Sequence, residues 1–347
     1  MKKIAYIELD THAELAANFF ELTRDSPEFS LDFYFSEKIY KLLNIHEKNI
    51  FIADYSNLLE IIDNKKYDLI ILGTVHRQFL FYRAICEKFE TGIIVHNLNF
   101  TKASKWQLFK NIFKEDFKYR LKLFLKEGLL EAPEVYGKAK YLFGIDEQMS
   151  AKNNLKFLPI YFNQFNNKNI DNQIVKIVIP GIVSQARRDY FSFFEKLRKF
   201  KNIGKNYEIV FLGKAGKKEL SELKRLKKEV PDFIKIKYFE EKIPQEKFDE
   251  IMKTADILYC PIQPETEFFS VKEIYGETKI SGNIGDVIKY EKPAIFPEAY
   301  NSDPEFIVKE NQDLPRQFSE MGNQKFDFNF YSKENVKNRF SAFMKSL

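Results

Sequence analysis

The stretch "KISGNIGDVIKYEKPAIFP", residues 279–297, sets the fold reading. Gly282 and Gly285 sit three residues apart, a run of about two helical turns follows, and Lys292-Pro293 opens the apolar run Ala294-Ile295-Phe296. A glycine loop, a short helix and a buried strand in succession form one repeat of an alternating α/β chain. The same pattern recurs upstream. "VKIVIPG" (175–181) and "YEIVFLG" (207–213) are apolar runs ending in glycine, and "KIKYF" (235–239), "ADILYCPI" (255–262) and "KPAIF" (292–296) complete a set of five expected strands. The first half has its own set: "IAYIEL" (4–9), "LDFYFS" (31–36), "IFIAD" (50–54), "YDLIILG" (67–73) and "TGIIVHN" (91–97), with candidate helices such as "YSNLLEIIDNKK" (55–66) between them. Near-continuous apolar strands alternating with helices predict parallel sheets covered on both faces.

A chain of 347 residues exceeds one ordinary core, so two domains are expected. The polar, Asn-rich stretch 163–174, "NQFNNKNIDNQI", reads as the linker. The domain reading is 1–168, then 169–332, with a terminal helix over 333–347. The net charge of +5 is mild for this length and does not mark a nucleic-acid binder. No apolar run approaches the roughly 18 residues of a membrane span. The start, "MKKIAYIELDTHAEL", is interrupted by Glu8 and Asp10 and does not read as a signal peptide. Cys86 and Cys260 follow no metal or redox spacing, and a cytoplasmic protein with reduced thiols is expected.

In open α/β sheets, ligands collect beyond the carboxyl ends of the strands. Three second-half loops qualify: "PGIVSQARRDY" (180–190), "LGKAGKK" (212–218) and the loop at 279–286. Each couples glycine, which lets the backbone approach a ligand, with cations or with the amides of a helix start, which suit phosphate. Gly181, Arg187, Arg188, Gly213, Lys214, Lys279, Ser281, Gly282, Asn283, Ile284, Gly285 and Asp286 are the candidates. The blander reading is strand-ending turns with solvated cations. The Walker and G-x-G-x-x-G fingerprints are absent, which argues against an NAD site. No D-x-D pair exists, and His12, His46, His76 and His96 are scattered in sequence, so no metal site is indicated.

These loops, in this order, resemble the GT-B-fold glycosyltransferases, in particular the retaining family four. "IVIPGIVSQARRDY" (177–190), "YFEEKIPQEKFDEIMKTADILYCPI" (238–262) and "GDVIKYEKPAIFP" (285–297) carry the resemblance. It implies two doubly wound Rossmann-like domains facing across a cleft, an N-terminal acceptor side, a C-terminal nucleotide-sugar side, and a terminal helix packing back towards the first domain. It also implies a nucleotide-diphosphate sugar as co-substrate, no cofactor, and a surface-glycan or lipid-linked acceptor. On this resemblance Arg187 and Lys214 would stabilise the leaving diphosphate and Asp286 would bind ribose hydroxyls. His96, in "IIVHNLNF", would lie beside the transferred sugar, and His12 would line the acceptor side. The chain departs from the family where a glutamate pair frames the donor loop: Asp286 keeps one carboxylate, Thr278 replaces the other, and Glu277 is one position off. That departure keeps a non-catalytic partner protein open. A nucleotide-sugar epimerase of similar shape is the other alternative.

Residues 102–126, "KASKWQLFKNIFKEDFKYRLKLFLK", hold eight Lys or Arg against Glu115 and Asp116. Lys110, Lys114, Lys118, Lys122 and Lys126 recur every fourth residue beside an aromatic stripe. One basic amphipathic helix is expected, either docked on an anionic membrane surface or packed on the core with solvated lysines.

Overall fold

The computed structural model describes residues 1–165, 173–302 and 304–347. The chain divides into two compact units. The first holds Met1–Tyr161, Glu267–Ile280 and Lys333–Leu347; the second holds Phe162–Thr266 and Ser281–Ser332. Of the expected linker, residues 166–172 lie outside the described residues.

The first unit is built on β1 (Lys2–Glu8), β2 (Phe29–Phe35), β3 (Ile50–Ile52), β4 (Leu69–Leu72), β5 (Thr91–Ile94), β6 (Tyr141–Gly144) and β7 (Lys156–Phe157). They lie in the order β3-β2-β1-β4-β5-β6-β7, and each neighbouring pair is parallel. β4 and β5 are buried along their whole length, as apolar "LIIL" and "TGII" require of strands covered on both faces. The chain runs outward from β1 through β2 and β3, then restarts with β4 on the other side of β1. That reversal places a switch point between β1 and β4.

The second unit uses β8 (Ile174–Pro180), β9 (Asn206–Lys214), β10 (Ile234–Phe239) and β11 (Ile257–Tyr259). A two-stranded sheet, β12 (Glu265–Phe268) with β13 (Val271–Ile274), interrupts the sequence before β14 (Ala294–Phe296) and β15 (Ile307–Lys309). The order β10-β9-β8-β11-β14-β15 is again parallel, with its switch point between β8 and β11. Its core includes Ile177, Phe193, Tyr207, Phe211 and Phe318.

The strands expected in both halves are present. The sequence reading does not anticipate β6, β7, β12, β13 and β15, which have two to four residues each. It also assigns residues 267–280 to the second domain, whereas they pack in the first unit. Val271 belongs to the first unit's core, and the buried Glu273 carboxylate accepts the backbone N–H groups of Asn99 (3.2 Å) and Phe100 (2.9 Å). The turn joining β12 to β13 puts Phe269 and Ser270 at φ 51° and 53°, a left-handed region that bulky residues seldom enter. Two side chains hold it there. Asn111 Nδ2 donates to the Phe269 carbonyl (2.8 Å) and the Ser270 carbonyl (3.2 Å), and Arg120 donates to Ser270 Oγ (2.8 Å).

The same clamp explains why 102–126 is not one helix. It forms Lys105–Asn111 and Phe117–Glu127, parted by a break in which Asp116 takes φ 52°. Arg120, buried in the second helix, folds back to donate to the Asn111 carbonyl (2.6 Å) at the end of the first. The five lysines therefore do not form one continuous stripe. Phe109 packs on the core, while Trp106, Phe113, Phe117, Tyr119 and Leu125 are exposed. The terminal helix Lys333–Ser346 lies in the first unit, where Phe340 meets Phe19 edge-on at 5.3 Å. Among the described residues, no helix is long and apolar enough to cross a membrane.

Candidate functional site

Parallel strands deliver all their carboxyl ends to one edge. In the first unit, β1, β4 and β5 are neighbours, and each is followed within four residues by a histidine: His12, His76 and His96. The structure gathers these three. His12 and His96 stack face to face, with centroids 3.9 Å apart, and His76 stands edge-on to His12 at 5.9 Å and to His96 at 5.5 Å. Phe268, from β12, covers His76 at 4.7 Å.

Hydrogen bonds fix two tautomers. His96 Nε2 lies 2.8 Å from the Gly73 carbonyl, which can only accept, so Nε2 carries the proton. Lys279 donates to Asn97 Oδ1, which orients the Asn97 amide so that Nδ2 donates to His76 Nε2 (3.3 Å). His76 therefore carries its proton on Nδ1. Burial, and then the Lys279 charge, hold His12 down to about 4; burial, then His12 and Lys279, bring His76 to about 3. His96, held down first by burial and then by its histidine neighbours, lies well below its ordinary value. All three rings are neutral at pH 7. At the end of β1, burial pushes the Glu8 carboxyl up to about 7. Glu8 accepts from Thr74 Oγ1 (2.6 Å) and from the N–H groups of Asp10 (3.0 Å) and Thr11 (3.2 Å), so it shapes the loop that carries His12.

In the second unit, the loops after β8 and β9 interlock. A Cβ on Gly213 would stand 2.1 Å from the Gly181 carbonyl oxygen, so only glycine lets these backbones approach. Gly181 itself takes φ 100°. The Arg188 guanidinium braces the loop through its two terminal nitrogens, which donate to the carbonyls of Pro180 (2.8 Å) and Ile182 (3.2 Å) and to Asn283 Oδ1 (3.1 Å), while its buried Nε has no partner among the described residues. Asn283 in turn donates to Asp286 Oδ2 (3.1 Å), so Arg188 ties the loop after β8 to the start of the helix Asn283–Tyr290. Arg187 is exposed, and among the described residues its guanidinium has no partner. Lys214 forms an exposed ion pair with Glu241 (3.2 Å).

The loop 281–286 proves tighter than the sequence suggests. Asn283 N–H bonds to Ser281 Oγ (3.3 Å), Ile284 N–H to the Ser281 carbonyl (3.1 Å) and Gly285 N–H to the Gly282 carbonyl (3.1 Å). Gly282 is exposed at the start of this helix, where Ser281 Oγ already takes the first helical N–H, and a Cβ at Gly282 would meet nothing within 4 Å. Lys279, read with this loop, lies in the first unit beside the histidines. A cavity of about 900 Å³ opens at the carboxyl ends of β11, β14 and β15, lined by Tyr259, Gln263, Glu298, Glu310 and Asp313 among others. None of the expected donor-binding residues lines it. Among the described residues, no group of three His, Cys, Asp or Glu side chains is placed to hold a metal ion.

His76, Glu8 and Asn97 are the site residues the sequence reading passes over. The signal for His76 was present: it follows "YDLIILG", as His12 follows the first strand.

No family model and no curated protein sequence matches the chain. Solved structures do match in fold. A lipopolysaccharide outer core galactosyltransferase, WaaB, in apo form superposes with TM-score 0.57 at 12% identity, covering 99% of both chains. The UDP-GlcNAc 2-epimerase from Neisseria meningitidis bound to UDP-GlcNAc gives 0.52 at 12%, covering 100% of both. An α-glucosyltransferase in complex with UDP gives 0.52 at 10%, covering 99% of this chain and 95% of that one. The likeness is one of fold: two Rossmann-like parallel-sheet units of the GT-B kind.

Proposed function

We propose that the chain is a cytoplasmic glycosyltransferase that moves a sugar from a nucleotide-diphosphate sugar to a surface-glycan or lipid-linked glycan acceptor, without a metal ion. The observation that carries this reading is the second unit's carboxyl edge. There, two loops locked by Gly181 and Gly213 are tied through Arg188 to the helix start at Gly282. A helix start favours the negative charge of a diphosphate. Arg187, next to a residue fixed against that helix and without a side-chain partner among the described residues, is the cation we assign to the leaving group, the role such a charge plays as the glycosidic bond breaks. Asp286 is assigned to the ribose. The resemblance to family four is the basis for expecting retention, with the leaving phosphate taking the acceptor proton.

The exposed Trp106, Phe113, Phe117 and Tyr119, set among lysines, support peripheral docking on an anionic membrane surface, where a lipid-linked acceptor would be met.

Incubation of the full chain with nucleotide sugars tests the reading. Release of nucleoside diphosphate should depend on both donor and acceptor, and the anomeric configuration of the product reads the stereochemistry. If no nucleotide sugar raises the thermal midpoint or turns over, the reading fails. Two other readings are separated by the same assay. Glu8, whose carboxyl burial pushes up to about 7, is the kind of acid–base group an epimerase uses, and epimerisation without acceptor would show it. The Thr278 hydroxyl accepts from Ile274 N–H (2.8 Å) and Asn99 Nδ2 (3.4 Å) within the first unit, so the position matched to a family glutamate serves a turn. Nucleotide-sugar binding with no turnover of any kind would favour the non-catalytic partner.

A further inference from the structure

We propose that the carboxyl edge of the first unit is a phosphoryl-binding site, formed by Lys279, His12 and His76 with Asn97 as their organiser. Which substrate brings the phosphoryl group rests on the transferase reading; the site itself does not.

The hydrogen-bond directions are the first argument. Lys279 donates only, and its bond to Asn97 Oδ1 makes the Asn97 amide donate to His76 Nε2. That leaves the proton of His76 on Nδ1 as an unspent donor. His12 is held by stacking on His96 and bonds through neither nitrogen to another described residue, so either tautomer offers one N–H. An ammonium and two imidazole N–H donors suit phosphate oxygens, which only accept.

The local field is the second argument. Lys279 acts on all three rings, and no carboxylate is among the charges acting on them. The nearby carboxylates are held by hydrogen bonds, Glu273 by the N–H groups of Asn99 and Phe100 and Glu8 by Thr74, Asp10 and Thr11, and Glu273, on which the Lys279 charge also acts, offsets part of that field. A neutral sugar would find few acceptors here, whereas an anion finds a positive field inside partly desolvated walls, where charge interactions are strong. An arriving anion would also raise the His12 pKa back towards its ordinary value.

The test is a titration of the full chain with inorganic phosphate at pH 7 and constant ionic strength, following the histidine ring protons by NMR. The His12 and His76 signals should shift saturably. His46, bonded to Tyr40 away from the cluster, serves as the reference and should not. Lys279→Gln should weaken the binding by about ten- to a hundredfold, as expected for one charge-assisted hydrogen bond. Lys279→Arg, which keeps the charge, should retain most of the affinity, and an unchanged thermal midpoint shows that each variant is folded. Equal shifts in wild type and Lys279→Gln, or no saturable shift at His12 and His76, would overturn the proposal. Competition then identifies the source. Displacement by uridine diphosphate assigns the phosphoryl group to the donor, and displacement by a hexose 1-phosphate alone assigns it to the acceptor. Failure here leaves nucleotide binding by the second unit intact, so it is distinguishable from failure of the transferase reading.

Discussion

The imidazoles of His12 and His96 stack at 3.9 Å with 11° between their planes, although 83 residues of sequence lie between them. Stacking at that distance is tolerable only while the rings are neutral, because two imidazolium rings so close would repel. The same neutrality makes the fold acid-sensitive. Folded-state values of about 4 for His12 and about 3 for His76 lie below the ordinary 6.5. The unfolded chain therefore binds more protons between those limits. The stability these rings contribute is complete above pH 6.5 and is lost as pH falls towards 4 and 3, at about 1.4 kcal/mol per pH unit for each proton taken up. Glu8 acts in the opposite sense. Its value of about 7 lies above the ordinary 4.5, so its contribution is complete below 4.5 and is lost as pH rises through 7. Urea unfolding across pH 4–8 should show a net loss on the acid side, and a variant with His12 and His76 both changed to Asn should show a flatter one.

Gly213 and Gly282 should separate fold from ligand binding. Gly213→Ala forces a Cβ to within 2.1 Å of a backbone oxygen, so thermal stability should fall and nucleotide binding should go with it. Gly282→Val has open space in the free protein, so the thermal midpoint should hold while nucleoside diphosphate affinity, read by calorimetry, falls. Wild-type affinity in Gly282→Val would remove this loop from the donor site.

Arg187 and Arg188 should likewise part company. Arg188→Ala strips the Pro180 and Ile182 carbonyls of a charged donor and should cost about 1.5–3 kcal/mol of stability. Arg187→Ala should leave stability unchanged and lower kcat more than donor affinity if its charge acts on the leaving group. An equal loss of stability in both would mean that Arg187 is structural.

The exposed aromatic surface gives a membrane prediction. Binding to anionic vesicles should weaken with added salt, and again when Lys110, Lys114 and Lys118 become Glu. Replacing Trp106, Phe113 and Phe117 by Ser should weaken it without lowering the thermal midpoint, because all three are exposed. Unchanged sedimentation with vesicles in either variant would count against docking.

The alternation of apolar strands and glycine turns was legible in the sequence because its cause is local. A strand buried on both faces needs a continuous apolar run, and a backbone turning sharply at its end favours glycine. That alone set two parallel α/β units and the loops after β8 and β9. The histidine cluster was not legible, because it depends on strand order. His12, His76 and His96 meet only because β1, β4 and β5 are neighbours in a parallel sheet, and a run such as "YDLIILG" does not encode its neighbours. The place of Lys279 was decided in the same way. Its sequence position joins it to the glycine loop two residues on, but the buried bonds of Glu273 to Asn99 and Phe100 hold β13, and Lys279 after it, in the first unit. Local chemistry fixed what each segment becomes. Pairing between distant segments, which must satisfy buried carboxylates and amides together, decided which side chains share a site.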